Sequence, residues 1–162
     1  MEVSNNINLS PYNTFGIAAI AKQFITINSI NDIALAIEAN IFTQKHLIIG
    51  GGSNILLGGD YDGIVIKNNL KGKQVVNEDD EFVWVKAAGG EIWHELVMFC
   101  VNLNLGGIEN LSLIPGTVGA APIQNIGAYG VELTDVFETL EAIDIVTGEL
   151  KIFPKAECAF GY

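Results

Sequence analysis

The chain has 162 residues, of which 49% are hydrophobic and only 17% charged, and its formal net charge at pH 7 is −11. This size and composition indicate a globular protein of one domain or two small subdomains. The acidic balance argues against nucleic acid or an anionic membrane surface as a partner, because both require clustered cations. All eight basic residues are lysines, so a bound phosphate would rely on backbone N–H groups, hydroxyls and at most a lysine.

Neither the cysteines nor the hydrophobic segments indicate secretion or membrane insertion. Cys100 and Cys158 are too few for a disulfide framework and lack metal-ligand spacing, so we expect both to be packing residues. The N-terminal residues lack the basic region and apolar run of a signal peptide. No segment approaches the roughly 18 apolar residues that a membrane-spanning helix needs. These features predict a cytoplasmic protein.

The first part of the chain is predicted to contain strands around one helix. An extended segment ends near Ile27, and the sequence from Ser29 to Asp32 matches a helix N-cap followed by an acidic third residue. A helix is therefore predicted over residues 30–39. Its apolar residues recur at the spacing of one face: Ile30, Ile33, Ala34, Ile37 and Ile41. The apolar run at residues 46–49 lacks polar alternation, which predicts a strand covered on both sides.

A short strand is predicted at residues 64–66, and the composition then changes near residues 68–73. We take this change as the boundary between a first subdomain, residues 1–70, and a second, residues 71–162, which is incomplete. The first would contain the helix described above. The second would contain the elements that follow.

In the second part, a β-hairpin is predicted from segments 74–77 and 82–87, joined by an acidic, solvated turn. A helix is predicted over residues 91–104, with Gly106 placed to terminate it. A strand over residues 140–146 and its partner over residues 150–153 complete the predicted elements.

A glycine-rich, uncharged segment between the last helix and these strands, residues 113–130, dominates the second part. Pro115 and Pro122 lack backbone donors, and each glycine lowers helix stability, so an ordinary helix is excluded. Isoleucines and a valine interleave with the glycines, which predicts a buried loop whose backbone polar groups need partners. A large flat or polyanionic ligand against the main chain would supply them.

A second glycine-rich stretch, GGGSN at residues 50–54, directly follows the predicted strand at residues 46–49. Successive N–H groups from Gly51 to Asn54 could bind a pyrophosphate, with the Ser53 hydroxyl as a further donor. The stretch is not a Walker loop, because no Gly-Lys-Ser/Thr follows it. It is also a poor dinucleotide fingerprint, because Ile55 stands where the third glycine belongs. Alone it is equally compatible with a simple turn, but two such loops would let two subdomains clamp one elongated cofactor.

Several short motifs occur together and in a consistent order along nearly the whole chain. They are NTFG at 13–16, GGGSN at 50–54, AGGEIWH at 88–94, IPGTVG at 114–119, PIQNIGAYG at 122–130 and FGY at 160–162. This combination closely resembles the UDP-N-acetylenolpyruvoylglucosamine reductases, the MurB flavoenzymes of peptidoglycan synthesis. The PIQNIGAYG segment is the most specific of the six.

The resemblance implies an α+β FAD-binding fold of the vanillyl-alcohol oxidase (PCMH) type, with two α/β subdomains and FAD between them. It implies FAD and NADPH as cofactors and a UDP-sugar as the substrate. NADPH would reduce the flavin, and hydride would then pass to the enolpyruvyl double bond of the UDP-sugar. The reaction would serve cell-wall biogenesis, and with it cell shape and division.

The resemblance also implies which residues hold the cofactor. The pyrophosphate would be bound by the first loop, at Gly50, Gly51, Gly52, Ser53 and Asn54. The flavin would be lined by the second, at Ile114, Pro115, Gly116, Gly119, Gln124, Asn125, Ile126, Gly127 and Tyr129. No catalytic residue is assigned, because the family's arginine, glutamate and proton-donating serine or cysteine would lie beyond position 162. We therefore expect a chain that is inactive alone.

Two other functions remain compatible with the sequence. One is a different FAD oxidoreductase of the same fold that links flavin covalently, which would need a well-placed histidine or cysteine; His94 and Cys100 lie outside both loops. The other is a non-catalytic nucleotide-binding or interaction module. A truncated flavin domain with an exposed apolar surface could also form a homodimer.

Overall fold

The computed structural model describes residues 1–161, which divide into two compact units. The first unit comprises residues 1–70 together with residues 143–150, and the second comprises residues 71–142 and the residues after 150. The first unit is therefore not one continuous stretch of chain. That each unit serves as an FAD-binding subdomain stays a prediction.

A four-stranded mixed sheet forms the first unit. Its strands are β1 (Glu2–Asn8), β2 (Ile20–Ile27), β3 (His46–Ile49) and β4 (Tyr61–Asn68), in the order β1-β2-β4-β3. β1 runs antiparallel to β2, whereas β2, β4 and β3 are parallel. The predicted extended segment and both predicted strands are confirmed, but the strand predicted at residues 64–66 is longer than expected. β1 was not predicted.

The sheet of the first unit buries apolar side chains on both faces. Helix α1 (Ile30–Glu38) covers one face, where Ile64 and Ile66 of β4 pack with Ala36. On the other face, Val65 packs with Phe24 and with residues of the connecting segments. Because successive residues of a strand point to opposite faces, the run from Ile64 to Ile66 fills two cores at once.

The helix prediction is confirmed, and its start has the predicted capping box. Asp32 N–H donates to Ser29 Oγ at 3.2 Å, and Asp32 Oδ2 accepts from Ser29 N–H at 3.1 Å. Asp32 also pairs with the N-terminal ammonium group at 2.8 Å. That hydrogen bond, aided by the N–H of Asn28, lowers the pKa of Asp32 to about 2.

Two predicted burial patterns in the first unit differ from the structure. The predicted apolar face of α1 is only partly correct, because Ile33 and Ile41 belong to the core whereas Ile30 and Ala34 face solvent. Ala36, which is fully buried, packs in the same core. In β3, the edge strand of the sheet, Ile48 is 50% exposed, so the prediction of a strand covered on both faces is wrong.

The second unit begins with the predicted hairpin, β5 (Lys73–Glu78) and β6 (Val83–Ala87). Helix α2 (Trp93–Asn102) follows and carries the core of the unit. Trp93 is 3% exposed, and its indole Nε1–H donates to the carbonyl oxygen of Leu111 at 2.7 Å. Leu96, Val97 and Cys100 extend the same buried face.

Helix α2 is shorter than predicted and ends differently. Asn104 adopts the left-handed conformation (φ 58°), and Leu105 N–H donates back to the carbonyl oxygen of Cys100 at 2.9 Å. This return bond satisfies a carbonyl at the helix end. Asn104 therefore ends the helix, and the prediction that Gly106 does so is wrong.

The remaining elements of the second unit are short. They are β7 (Gly127–Ala128), β8 (Val131–Glu132), α3 (Leu133–Val136), β9 (Thr139–Ile143) and β10 (Leu150–Pro154). β9 and β10 pair as the predicted two strands, and the turn that joins them lies in the first unit. Among residues 1–161, no helix has the length and apolar character to cross a membrane.

Replacing Ser29 by alanine tests the capping box. The Ser29→Ala variant loses the bond to Asp32 N–H and should lose about 1 kcal/mol of unfolding free energy, measured by urea denaturation. Ser10→Ala is the matched control, and we expect a change within about 0.5 kcal/mol there. Equal losses in both variants would contradict the assigned role.

Candidate cofactor-binding site

The first candidate loop, residues 50–54, leaves the end of β3 and is shaped by close main-chain packing. Gly52 is buried with φ at 66°, and its carbonyl oxygen accepts from Thr14 N–H at 3.1 Å. A Cβ atom at Gly52 would lie 1.9 Å from the carbonyl oxygen of Tyr12. Only glycine fits this position, because φ is positive and because there is no room for a Cβ atom.

Asn13 fixes the segment against which Gly52 packs. It is 7% exposed, and its Nδ2 donates to the carbonyl oxygens of Leu9 at 2.8 Å and Ile17 at 3.0 Å. Its Oδ1 accepts from Ile17 N–H at 3.0 Å. Sequence reasoning assigned no role to Asn13, although NTFG was among the motifs of the resemblance. The structure shows that it braces the first loop from behind.

The first loop offers backbone donors. Within residues 1–161, the N–H groups of Gly51, Gly52 and Ser53 donate no hydrogen bond, although Gly52 is buried. Buried N–H groups are nearly always paired, so an unpaired one in a glycine turn is suited to an acceptor from outside. The loop also carries no carboxylate that would repel an anion. These donors fit a phosphate group.

The second candidate loop is held by main-chain hydrogen bonds to residues 89–93, which lead into and begin α2. Gly116 O accepts from Trp93 N–H at 3.1 Å, and Gly89 O accepts from Gly119 N–H at 2.9 Å. A Cβ atom at Gly119 would lie 3.0 Å from Gly89 Cα. The N–H of Gly119 is therefore used within the protein, and its glycine identity permits the close approach of two backbones.

The second loop is less buried than predicted. Its middle forms a 3₁₀ helix (Val118–Gln124), which is not the ordinary helix that the prolines and glycines exclude. Ile126 is buried, but Ile123 is 86% exposed and Tyr129 is 90% exposed. The loop predicted to be buried is therefore buried only in part. The loop presents an apolar, uncharged surface.

Asn125 has its side chain committed within the protein. It is 4% exposed and left-handed (φ 40°); its Nδ2 donates to Glu132 Oε2 at 2.7 Å, and its Oδ1 accepts from Thr134 N–H at 3.1 Å. Together these bonds join the end of the 3₁₀ helix to the start of α3. Asn125 therefore shapes the loop, and its amide is occupied.

The predicted site residues differ widely in exposure. Those of the first loop lie together in the first unit, and those of the second loop lie together in the second unit. The exposed ones are Gly51, Asn54, Pro115, Gly119, Gln124, Gly127 and Tyr129. The half-buried ones are Gly50, Ser53, Ile114 and Gly116, and the buried ones are Gly52, Asn125 and Ile126. Ile126 belongs to the core around Trp93. Its side chain therefore supports the loop from inside.

Glu91 is a buried carboxylate in the segment whose main chain hydrogen-bonds to the second loop. It is 5% exposed; its Oε1 accepts from Gly72 N–H at 2.7 Å, and its Oε2 pairs with Lys73 Nζ at 3.0 Å. Its carbonyl oxygen accepts from Val118 N–H at 2.9 Å. The Gly72 hydrogen bond, followed by the Lys73 ammonium, lowers the pKa of the carboxyl group. Sequence reasoning missed this role, since the partners are distant in sequence.

Cys100 and His94, the two candidates for a covalent flavin bond, are poorly suited to it. Cys100 is buried, and burial raises the pKa of its thiol, so the nucleophilic thiolate is disfavoured. His94 Nδ1 accepts from Leu113 N–H at 3.3 Å, which gives the ring a structural role.

Comparison with known proteins shows the family of the chain. Residues 21–153 match the family model described as an FAD binding domain. The chain belongs to this FAD-binding domain family. Membership of this family supports FAD as the cofactor.

Curated relatives of this FAD-binding domain share the name UDP-N-acetylenolpyruvoylglucosamine reductase. The proteins of Flavobacterium johnsoniae and Amoebophilus asiaticus are 51% and 50% identical over 100% of the chain, and that of Pseudomonas savastanoi pv. phaseolicola is 49% identical. The chain spans 48% of the length of each. The resemblance predicted from the motifs is thus confirmed, and the chain corresponds to about half of such a protein.

A solved structure confirms the predicted fold. The FAD-binding domain resembles UDP-N-acetylenolpyruvylglucosamine reductase (MurB) from Thermus caldophilus with a TM-score of 0.74 and 23% identity. The match covers 99% of this chain and 55% of that one. The fold is therefore the α+β, PCMH-type FAD-binding fold.

Substituting Gly52 tests the close packing of the first loop. Gly52→Ala should lose about 3 to 5 kcal/mol of unfolding free energy, because it adds a backbone clash to the cost of a positive φ. Gly16→Ala is the matched control: φ is 65° there, but a Cβ atom would meet nothing within 4 Å. That variant should lose only about 1 kcal/mol. Similar losses in the two variants, measured by urea denaturation, would contradict the packing argument.

Glu91 should make stability depend on pH. Because its folded pKa is lowered from 4.5, its contribution is fully present above 4.5 and is lost as the pH falls through the folded pKa. Glu91→Gln should be less stable by about 2 kcal/mol at pH 7, and this difference should shrink below pH 4.5. Urea denaturation at several pH values measures this difference in unfolding free energy between the variant and the unsubstituted chain.

Glu95→Gln is the matched control for Glu91, since Glu95 is 57% exposed and lies 3.9 Å from the same Lys73 Nζ. We expect a change of at most about 0.5 kcal/mol with no marked pH dependence. A pH-independent loss in Glu91→Gln would show that the carboxylate charge is not what stabilises this segment.

Proposed function

We propose that this chain is the FAD-holding part of a UDP-N-acetylenolpyruvoylglucosamine reductase that acts in peptidoglycan synthesis. The proposal is supported by relatives of that name, about half identical to the chain over its full length. Structurally it rests on one observation: both glycine-rich loops are fixed from behind by backbone contacts, which leaves uncharged main chain to receive a ligand.

The residues of both loops fit FAD, each in its own unit. The first loop offers unpaired N–H groups at Gly51, Gly52 and Ser53 within the described residues, which suit the pyrophosphate. The second loop has no charged side chain between residues 113 and 130, and it exposes Ile123 and Tyr129. An apolar surface of this kind suits the flat ring of a flavin.

The chemistry that FAD supplies when bound is hydride transfer from NADPH to the enolpyruvyl double bond of the UDP-sugar. The residues of this chain would bind FAD and orient it. Neither loop contains an acid or base, and the chain contains no arginine. The groups that stabilise negative charge and deliver the proton would come from the rest of the enzyme. We therefore propose that this chain alone does not turn over substrate.

Two alternatives make different predictions. A covalent flavoprotein would retain FAD after acid denaturation, whereas the proposed reductase would release it; the burial of Cys100 and the hydrogen bond of His94 favour release. A non-catalytic module would fold cooperatively and show no flavin affinity, which a flavin titration detects.

Two further properties belong to this proposal. We place the reaction in the cytoplasm, where the nucleotide-linked reactants NADPH and UDP-sugar are available. The exposed Ile123 and Tyr129 would be covered by the flavin or, without it, by a second copy of the chain. A sedimentation coefficient that rises with protein concentration, and falls again when FAD is added, would support covering by a second copy. A sedimentation coefficient that stays at the monomer value at all concentrations would contradict dimerisation.

Titration with FAD tests the proposal directly. The chain should quench flavin fluorescence saturably, and Gly127→Leu should weaken binding at least tenfold by placing a side chain on the second loop. Gly106→Leu, at an exposed glycine outside both loops, is the matched control and should bind as the unsubstituted chain does. No saturable binding, or equal loss in both variants, would contradict the site.

The absence of turnover is a separate expectation. NADPH oxidation that depends on the UDP-sugar substrate should stay at the background rate of free FAD when only this chain is present. A substrate-dependent rate above that background would show that the catalytic groups lie within these residues.

A further inference from the structure

Lys67 stands out as a cation beside the first loop. It is the next-to-last residue of β4, and in the parallel register it pairs with Ile49, the residue immediately before Gly50. The chain therefore enters the glycine loop directly alongside Lys67. Ligands of open α/β sheets bind at the carboxyl ends of parallel strands, which is where both residues lie.

The direction of the Lys67 side chain follows from strand alternation. Ile64 and Ile66 point to the face that α1 covers, whereas Val65 points to the opposite face. Lys67 shares the face of Val65. Its Nζ lies 5.0 Å from the ring centroid of Tyr12, which belongs to that opposite face.

Tyr12 connects Lys67 to the loop. Its carbonyl oxygen is the atom against which Gly52 packs, and its ring holds the Lys67 ammonium. The ring itself is fixed by Phe24, with the centroids 4.5 Å apart. One residue thus positions both the backbone donors and a positive charge.

Lys67 has no carboxylate within ion-pairing distance among residues 1–161. Lys45 provides the contrast: it lies over the Tyr61 ring at a similar 5.1 Å, but its charge acts on Asp62. The pKa of Asp62 is lowered first by its hydrogen bond to Lys22, with Lys45 contributing. The charge of Lys67 is therefore available to an anion from outside the chain.

We propose that Lys67 is the cationic ligand of the FAD pyrophosphate and that it acts together with the backbone N–H groups of residues 51–53. This inference rests on the proposed FAD binding. In a chain of net charge −11, a diphosphate meets an unfavourable overall field. One ammonium group beside the loop supplies the local attraction that amide dipoles alone provide only in part.

The test compares three variants by flavin fluorescence quenching and, for ligands without flavin, by thermal shift. Lys67→Met removes the charge and keeps an unbranched side chain, Lys67→Arg keeps the charge, and Lys45→Met is the matched control. Lys67→Met should raise the Kd for FAD about tenfold. Lys67→Arg and Lys45→Met should stay within twofold of the unsubstituted chain. The Kd for riboflavin, which has no phosphate, should be the same in all four proteins.

Salt and inorganic pyrophosphate separate this inference from the proposed function. FAD affinity should fall with added salt less steeply in Lys67→Met than in the unsubstituted chain. If the unsubstituted chain binds no FAD but is stabilised by pyrophosphate in a Lys67-dependent way, Lys67 is a diphosphate ligand and the FAD assignment falls. Two results would show that Lys67 is not a phosphate ligand. One is a Kd of Lys67→Met for FAD within twofold of that of the unsubstituted chain, and the other is an equal rise in its Kd for riboflavin. If neither FAD nor pyrophosphate binds, both proposals fall.

Discussion

Close contact between two stretches of main chain is the constraint on which both candidate loops depend. At Gly52 the neighbouring carbonyl of Tyr12 occupies the space of a side chain, and at Gly119 the backbone of Gly89 does so. Neither loop contains a charged side chain. The loops can therefore be rigid and still present bare backbone to a ligand, which is how main-chain dipoles bind phosphate and flat rings.

Around these contacts, the polar side chains that the structure buries act as braces. Asn13 ties the segment behind the first loop, and Asn125 ties the second loop to α3. Glu91 anchors the segment that hydrogen-bonds to the second loop, through its own bonds to Gly72 and Lys73. Each of these buried polar groups is satisfied, so its desolvation is offset by hydrogen bonds. Asn13, Asn125 and Glu91 thus serve as support, and the two loops themselves carry no charged side chain.

Much of the architecture could be predicted because its determinants are local. The capping box at Ser29 marked α1, and unbroken apolar runs marked β3 and the middle of β4. β1 could not be predicted, since its polar sequence becomes a strand only by pairing with β2. The glycine loops were recognisable by composition and resemblance. The contacts that support the loops could not be predicted, because they join residues far apart in sequence. Thr14 and Gly52 are separated by 38 residues, and Glu91 and Lys73 by 18.

The turn between β9 and β10 carries a consequence for how the protein is made. Residues 143–150 complete the first unit, although about seventy residues of the second unit are synthesised before them. On the ribosome, the first unit must wait for most of the second before it acquires its last piece, because chains emerge from the N-terminus. The coding sequence of each unit is thus interrupted by a piece of the other, so neither unit corresponds to one uninterrupted segment of the chain.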